Sequence, residues 1–205
     1  MKTVYWIGYT FFRSAGKAFY NLRLVNPEKL VNEGGVMMAA NHESFLDPPL
    51  IGISHPENVT YLARKTLFTG LSKWLYTKWD AIPIDQENPD MTGLKNIIKA
   101  IKGGKKVVMF PEGERTWDGE LNAALPGVGL IIAKSLATVQ PMRIFGAREA
   151  LPRGSGKMNM AQIAVVVGDP IYFTKEELKQ YKGKVGYQAI ADRVMAAIAA
   201  IEDPR

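Results

Sequence analysis

The chain has 205 residues, 47% of them hydrophobic and 22% charged, which suits one folded domain and excludes a disordered chain. It contains no cysteine, which excludes disulfide frameworks, thiolate metal sites and cysteine nucleophiles, and its histidines are His42 and His55 alone. Lys plus Arg number 26 against 20 Asp plus Glu, and the resulting +6 suits an anionic partner: a phosphate ligand, a nucleic acid or an acidic membrane surface.

Residues 4–23 predict a helix. Thr10, Arg13, Ser14, Lys17 and Asn21 recur at helical spacing as a polar stripe, while Tyr5, Ile7, Phe11, Phe12 and Phe19 belong to a wide apolar remainder. Such a helix either packs on its own domain or lies in a membrane interface, rings at headgroup depth and cations toward phosphates. Asn26-Pro27 ends it, and Gly34-Gly35 marks a turn.

Continuous apolar runs at 36–40, 59–63, 81–84, 106–110, 139–145 and 163–167 read as buried strands, the fifth with Pro141 inside it. Helical patterns lie between them. Leu67, Leu71, Trp74 and Leu75 form one apolar face. Leu94, Ile97, Ile98 and Ile101 form another, opposite Lys95, Lys99 and Lys102. Residues 127–135 are a further candidate, and Tyr187, Ile190, Val194, Ile198 and Ile201 space the last. The alternation predicts an α/β fold, a largely parallel β-sheet flanked by helices, with the N-terminal amphipathic helix added. The longest run without charge is thirteen residues, 121–133, against the roughly 20 of a spanning helix, so no crossing segment is expected, nor a signal peptide.

In such sheets ligands gather beyond the carboxyl ends of strands. The strand at 36–40 runs into Asn41-His42-Glu43-Ser44, and Asp47-Pro48 then reads as a helix N-cap followed by proline at the first helical position. On a regular helix His42 and Asp47 would point about 140° apart, but within a turn they can meet. A carboxylate on one imidazole nitrogen fixes the tautomer and leaves the other nitrogen free to take a proton; an ordinary imidazole, with a pKa of about 6.5, suits general base work. The plain alternative is a cap beside a turn residue. Ser44 lacks the flanking glycines of a nucleophile elbow, and Asn41-His42-Glu43 lacks the second histidine of a zinc helix, so no metal site is expected. His55, before Pro56, reads as a surface residue.

The strand at 106–110 leads into Pro111-Glu112-Gly113-Glu114-Arg115. Gly113 permits a positive φ or a close backbone approach to a ligand, and Arg115 offers a planar fork shaped for phosphate. Glu112 would bond a substrate hydroxyl or hold Arg115. The plain alternative is a strand-end turn with a surface Glu–Arg pair. Taken together, the two strand ends would hold a base and a phosphate clamp.

These segments together resemble the glycerolipid acyltransferase family, of the lysophosphatidic acid (1-acyl-sn-glycerol-3-phosphate) acyltransferase type. Its signature is N-H-x-x-x-x-D followed by F-P-E-G-x-R, here Asn41-His42 with Asp47 and Phe110 through Arg115. The family's intermediate block resembles Ala81-Ile-Pro-Ile-Asp-Gln86 and its last block Val139-Gln-Pro-Met142, so the resemblance spans residues 35–170. Two positions depart: Gln86 stands where arginine is usual, and Glu114 where threonine is frequent. Arg64 and Lys65 fall where members carry a phosphate-binding lysine.

The resemblance implies an acyltransferase domain over 27–205 behind a membrane-interface helix at 1–26. It implies transfer of a fatty acyl group from a thioester, acyl-CoA or acyl-carrier protein, to the free hydroxyl of lysophosphatidic acid. Another lysolipid or glycerol 3-phosphate is the alternative acceptor, and a non-catalytic basic membrane-binding module the alternative class. His42 would be the base and Asp47 its orienting acid. Asn41, Ser44, Arg64, Lys65, Glu112, Gly113 and Arg115 would bind substrate, and backbone amides near the His–Asp turn would stabilise the oxyanion. No metal or bound cofactor is implied. The expected partners are an anionic membrane surface, the lysophospholipid and the thioester carrier, with no nucleic acid, at a peripheral position on the cytoplasmic side of the membrane.

Overall fold

The structure, a computed structural model, describes residues 3–85 and 91–205. Gln86 and the side chain of Leu71, both singled out by the sequence, lie outside the described residues. The elements in chain order are α1 (Thr3–Tyr20), β1 (Arg23–Val25), β2 (Val36–Ala40), α2 (Asp47–Ser54), β3 (Val59–Arg64), α3 (Gly70–Lys78), β4 (Ala81–Ile84), α4 (Met91–Lys102), β5 (Lys106–Met109), α5 (Pro126–Ser135), β6 (Thr138–Phe145), α6 (Ala147–Ala150), β7 (Ala164–Val167), α7 (Lys175–Leu178) and α8 (Gly183–Ala199). The strands form one sheet in the order β1-β7-β6-β2-β5-β3-β4. Every pairing is parallel except β6 with β7, so the α/β fold and largely parallel sheet expected from the strand pattern are what the chain builds.

The period of two along each strand divides the core. Met37 and Ala39 of β2 and Val107 and Met109 of β5 face α4, α5 and α8, through Ile97, Ile132, Ile190 and Val194. Val36, Met38 and Ala40, with Val108, face α1 and α2, through Tyr5, Leu50 and Ile51. Both faces being covered, β2 is buried at every residue, which is why it reads as a continuous apolar run rather than an alternating one. Gly129 sets the contact of α5 with α8, because a Cβ there would strike the Tyr187 carbonyl oxygen.

Pro141 sits inside β6 without breaking it. Its carbonyl accepts from Gly168 N at 2.9 Å, so its polar edge points past the end of β7 and its missing N–H is not needed by β2. The structure corrects the sequence at the N-terminus: the helix ends at Tyr20, not residue 23, and Arg23–Val25 enters the sheet as an edge strand parallel to β7. His55 is also corrected. It is 1% exposed, with Nδ1 accepting from Glu57 N at 3.1 Å, and burial lowers its pKa.

Helix α1 divides its apolar surface in two. Tyr5 is buried, and its hydroxyl accepts from Val59 N at 3.2 Å, while Trp6, Ile7, Phe11 and Phe19 face outward. No helix among the described residues is long and apolar enough to cross a membrane.

Candidate active site

Strands β2 and β5 are parallel neighbours in register, Ala39 beside Met109, so their carboxyl ends deliver Asn41-His42 and Phe110-Pro111-Glu112 to the same edge of the sheet. Asn41 fastens the first of these loops. Its side chain donates to Ile144 O at 3.0 Å and accepts from Ile144 N at 2.7 Å, extending the β2–β6 pairing by one side-chain rung.

The turn that follows closes on Asp47. His42 Nδ1 lies 2.7 Å from Asp47 Oδ2, and the same oxygen accepts from Glu43 N and Ser44 N, each at 2.7 Å. Asp47 therefore does not cap α2, as its place before Pro48 predicts. It is the first residue of that helix and turns its carboxylate back into the preceding loop. Burial pushes this carboxyl up, against the pull of the imidazole and the two amides. The Asp47 side chain is 0% exposed and that of His42 17%, so the pair presents the imidazole outward and hides the acid. The imidazole stacks on Phe110, ring centroids 4.0 Å apart and planes 15° from parallel.

The second loop is tied to the first through backbone. Glu112 accepts from His42 N at 2.7 Å with one oxygen and from Asn122 N at 2.9 Å with the other, and Thr116 N donates to His42 O at 2.8 Å. Gly113 has φ +79°, and a Cβ there would strike the Leu125 side chain. The Arg115 guanidinium lies 3.5 Å over the ring centroid of Phe45, a residue of the His–Asp turn. Its Nη1 is buried without a hydrogen-bond partner among the described residues, and so is Asp47 Oδ1. Burial lowers the Arg115 pKa, and the positive charges of Arg153 and Arg64 lower it further. Converging like charges of this kind make the local field positive.

The sequence-predicted residues thus part into two groups. His42, Asp47 and Arg115 come together, with Arg64 near enough for its charge to act on Arg115. Lys65 starts the turn after β3, its Nζ 3.9 Å from Asp85 Oδ2. Asn41, Ser44 and Glu112 are placed otherwise than as substrate ligands. Ser44 Oγ donates to Leu151 O at 3.0 Å and accepts from Leu46 N at 3.2 Å, so all three bond inside the protein and frame the site. The amides of His42, Glu43 and Ser44 are likewise occupied by carboxylates, so an oxyanion site near the turn would draw on other amides. No group of three or more potential metal ligands occurs among the described residues.

Arg153 and Glu43 are functional neighbours that sequence reasoning missed. Arg153 donates to the Arg115 carbonyl, pairs with Glu114 at 3.1 Å and lies 3.8 Å over the Trp117 ring. Its own loop, Pro152-Arg153-Gly154, carries no motif that would have singled it out. Glu43 is buried behind Asp47 and pushed up to about 7, by burial first and then by the Asp47 charge.

Residues 21–145 match the model of a family described as Acyltransferase. The chain belongs to the acyltransferase family. It is 28% identical over 172 residues to the 1-acyl-sn-glycerol-3-phosphate acyltransferase of Bacillus subtilis, covering 80% of this chain and 82% of that protein. It is 29% identical over 143 residues to the chloroplastic 1-acyl-sn-glycerol-3-phosphate acyltransferase BAT2 of Brassica napus, covering 68% of this chain. The chain spans 41% of the Brassica protein and 46% of a similar chloroplastic enzyme from Arabidopsis thaliana, under half of either. The solved structure of the 1-acyl-sn-glycerophosphate acyltransferase PlsC from Thermotoga maritima shares the fold, with a TM-score of 0.73 at 20% identity over 97% of this chain and 81% of that one.

Proposed function

We propose that this acyltransferase moves a fatty acyl group from a thioester, carried by coenzyme A or an acyl-carrier protein, to the free hydroxyl of lysophosphatidic acid. The observation that carries the reading is the part-exposed imidazole of His42 held at 2.7 Å by a fully buried acid. With Nδ1–H donated to Asp47, the lone pair of the other ring nitrogen, Nε2, is free to accept a proton. It takes the hydroxyl proton of the acceptor as the oxygen bonds to the thioester carbonyl carbon. The tetrahedral intermediate then expels the thiolate, which recovers the proton from Nε2–H, leaving an ester and a free thiol. Asp47 keeps the ring in place and stabilises the transient imidazolium.

Arg115, whose Nη1 has no hydrogen-bond partner among the described residues, would grip the acceptor phosphate, supported by Arg64 and Lys65. The pairing of Glu114 with Arg153 favours a phosphate-bearing acceptor, because the extra carboxylate of this loop is offset where it stands. The outward aromatic face of α1, edged by Arg13 and Lys17, would hold the protein at the lipid surface where such an acceptor lies. The names of the relatives support the same acceptor. No step requires a group beyond the two substrates and these side chains.

The test is thiol release from a long-chain acyl-coenzyme A across acceptors with and without a phosphate monoester. Release with lysophosphatidic acid, lost in His42→Ala with the fold intact, is the expected result. A folded His42→Ala that keeps the wild-type rate, or equal rates on acceptors without phosphate, would overturn it.

A further inference from the structure

Helix α1 borders an apolar cavity of about 560 Å³, lined by its Phe11 and Phe19, by Leu46 and by Met158 and Met160 of a later loop. The methionine loop is built in an unusual way. Asn159 is clamped from both ends, its N–H donating to Ala150 O at 2.8 Å and its side-chain amide to Glu149 O at 3.1 Å. The residues on either side are left outside, Met158 63% exposed and Met160 78%. Two large apolar side chains held into water on a pinned loop, beside the outward rings of α1, make one apolar patch from two separate parts of the chain.

The two segments themselves carry charge of one sign, and the exposed Glu149 beside the loop is paired with Arg205 at 3.5 Å. Neither α1 nor residues 152–163 contain an Asp or Glu, whereas Arg13, Lys17 and Lys157 are all exposed there. An anionic bilayer surface meets both properties, methionine and phenylalanine side chains entering the acyl boundary while the cations stay at phosphate depth. Leu46, which also lines the cavity, immediately precedes Asp47, so a lipid surface seated on this face lies next to the His–Asp pair.

We propose that the Met158–Met160 loop is a second membrane-docking element, which together with α1 seats the protein on anionic lipid; the proposal rests on the interface reading of α1 given above. The experiment is co-sedimentation with vesicles of phosphatidylcholine mixed with phosphatidylglycerol, and with vesicles of phosphatidylcholine alone. Met158→Ser/Met160→Ser is compared with wild type and with Phe11→Ser/Phe19→Ser. The methionine variant is expected to lose about tenfold or more in vesicle partitioning, with an unchanged melting temperature, because both side chains are already in water in the folded protein. Met160→Ser alone, at the more exposed position, is expected to show part of the loss. Its turnover of a short-chain, water-soluble acceptor is expected to persist while turnover of vesicle-borne acceptor falls.

Wild-type partitioning by the methionine variant, alongside a loss in the α1 variant, would overturn this proposal and leave the α1 anchor standing. Absence of wild-type binding to either vesicle would overturn both. A methionine variant that keeps vesicle binding but loses affinity for acyl-carrier protein would assign the face to the acidic donor protein and overturn the lipid reading.

Discussion

Asp47 Oδ2 receives three donors at 2.7 Å, and this crowding sets the chemistry of the turn. Asp47→Asn can keep an oxygen at the Oδ2 position for His42 Nδ1–H and the two amides, but it puts an NH2 at the buried Oδ1 position and removes the negative charge that steadies the transient imidazolium. The expected result is a fall in kcat of about two to four orders of magnitude, with acceptor KM little changed and the fold intact by circular dichroism. Near-wild-type kcat would show that the charge of the carboxylate does not assist the base. Arg153 acts one step further out, through the backbone carbonyl of Arg115 and the charge of Glu114. Arg153→Ala would release Glu114 as an unpaired negative charge beside Arg115, the proposed phosphate grip. Acceptor KM is expected to rise about tenfold while kcat and donor KM hold. Partial recovery in Arg153→Ala/Glu114→Gln would confirm the electrostatic part, and an unchanged acceptor KM in Arg153→Ala would refute it.

Helix α1 shows why a pattern can be right and still incomplete. Its wide apolar band admits both packing on the domain and a membrane interface, and the structure gives each a side: Tyr5 inward, Phe11 and Phe19 outward. A deletion through residue 23 would therefore remove core packing and cut into β1 as well as removing an exposed face. A point change tests the inner side cleanly. Tyr5→Phe removes the acceptor of the buried Val59 N–H and should lower stability by about 1–3 kcal/mol in a denaturant melt, with no effect if water replaces the hydroxyl. Strand β1 escaped the sequence because three residues, Arg23-Leu24-Val25, have no period to read, and they are ordered only by their partner β7. The inward turn of Asp47 escaped for a related reason. A proline at the next position signals a helix start, but not whether the carboxylate caps that helix or reaches back into the loop before it.

Across the whole molecule, the strand segments and the two motif loops were legible because burial on both faces leaves continuous apolar runs, and because His42, Asp47 and Arg115 need specific functional groups. The sheet order was not, since it depends on pairings between distant segments, and neither was the support behind the motifs. Glu43 belongs to that support. It accepts from Arg148 N at 3.0 Å, joining the His–Asp turn to α6, and it titrates from about 4.5 when unfolded to about 7 when folded. Between those values the folded state holds a proton that the unfolded chain has released, so stability falls as pH rises through the window. The contribution is intact below pH 4.5 and fully lost above pH 7, a change on the order of 3 kcal/mol. Glu43→Gln cannot ionise. Its stability relative to wild type is therefore expected to shift in its favour by a comparable amount between pH 4.5 and pH 8, measured by urea melts at each pH. A difference independent of pH would mean that Glu43 is charged throughout, and that the Asp47 carboxylate tolerates a second buried negative charge beside it.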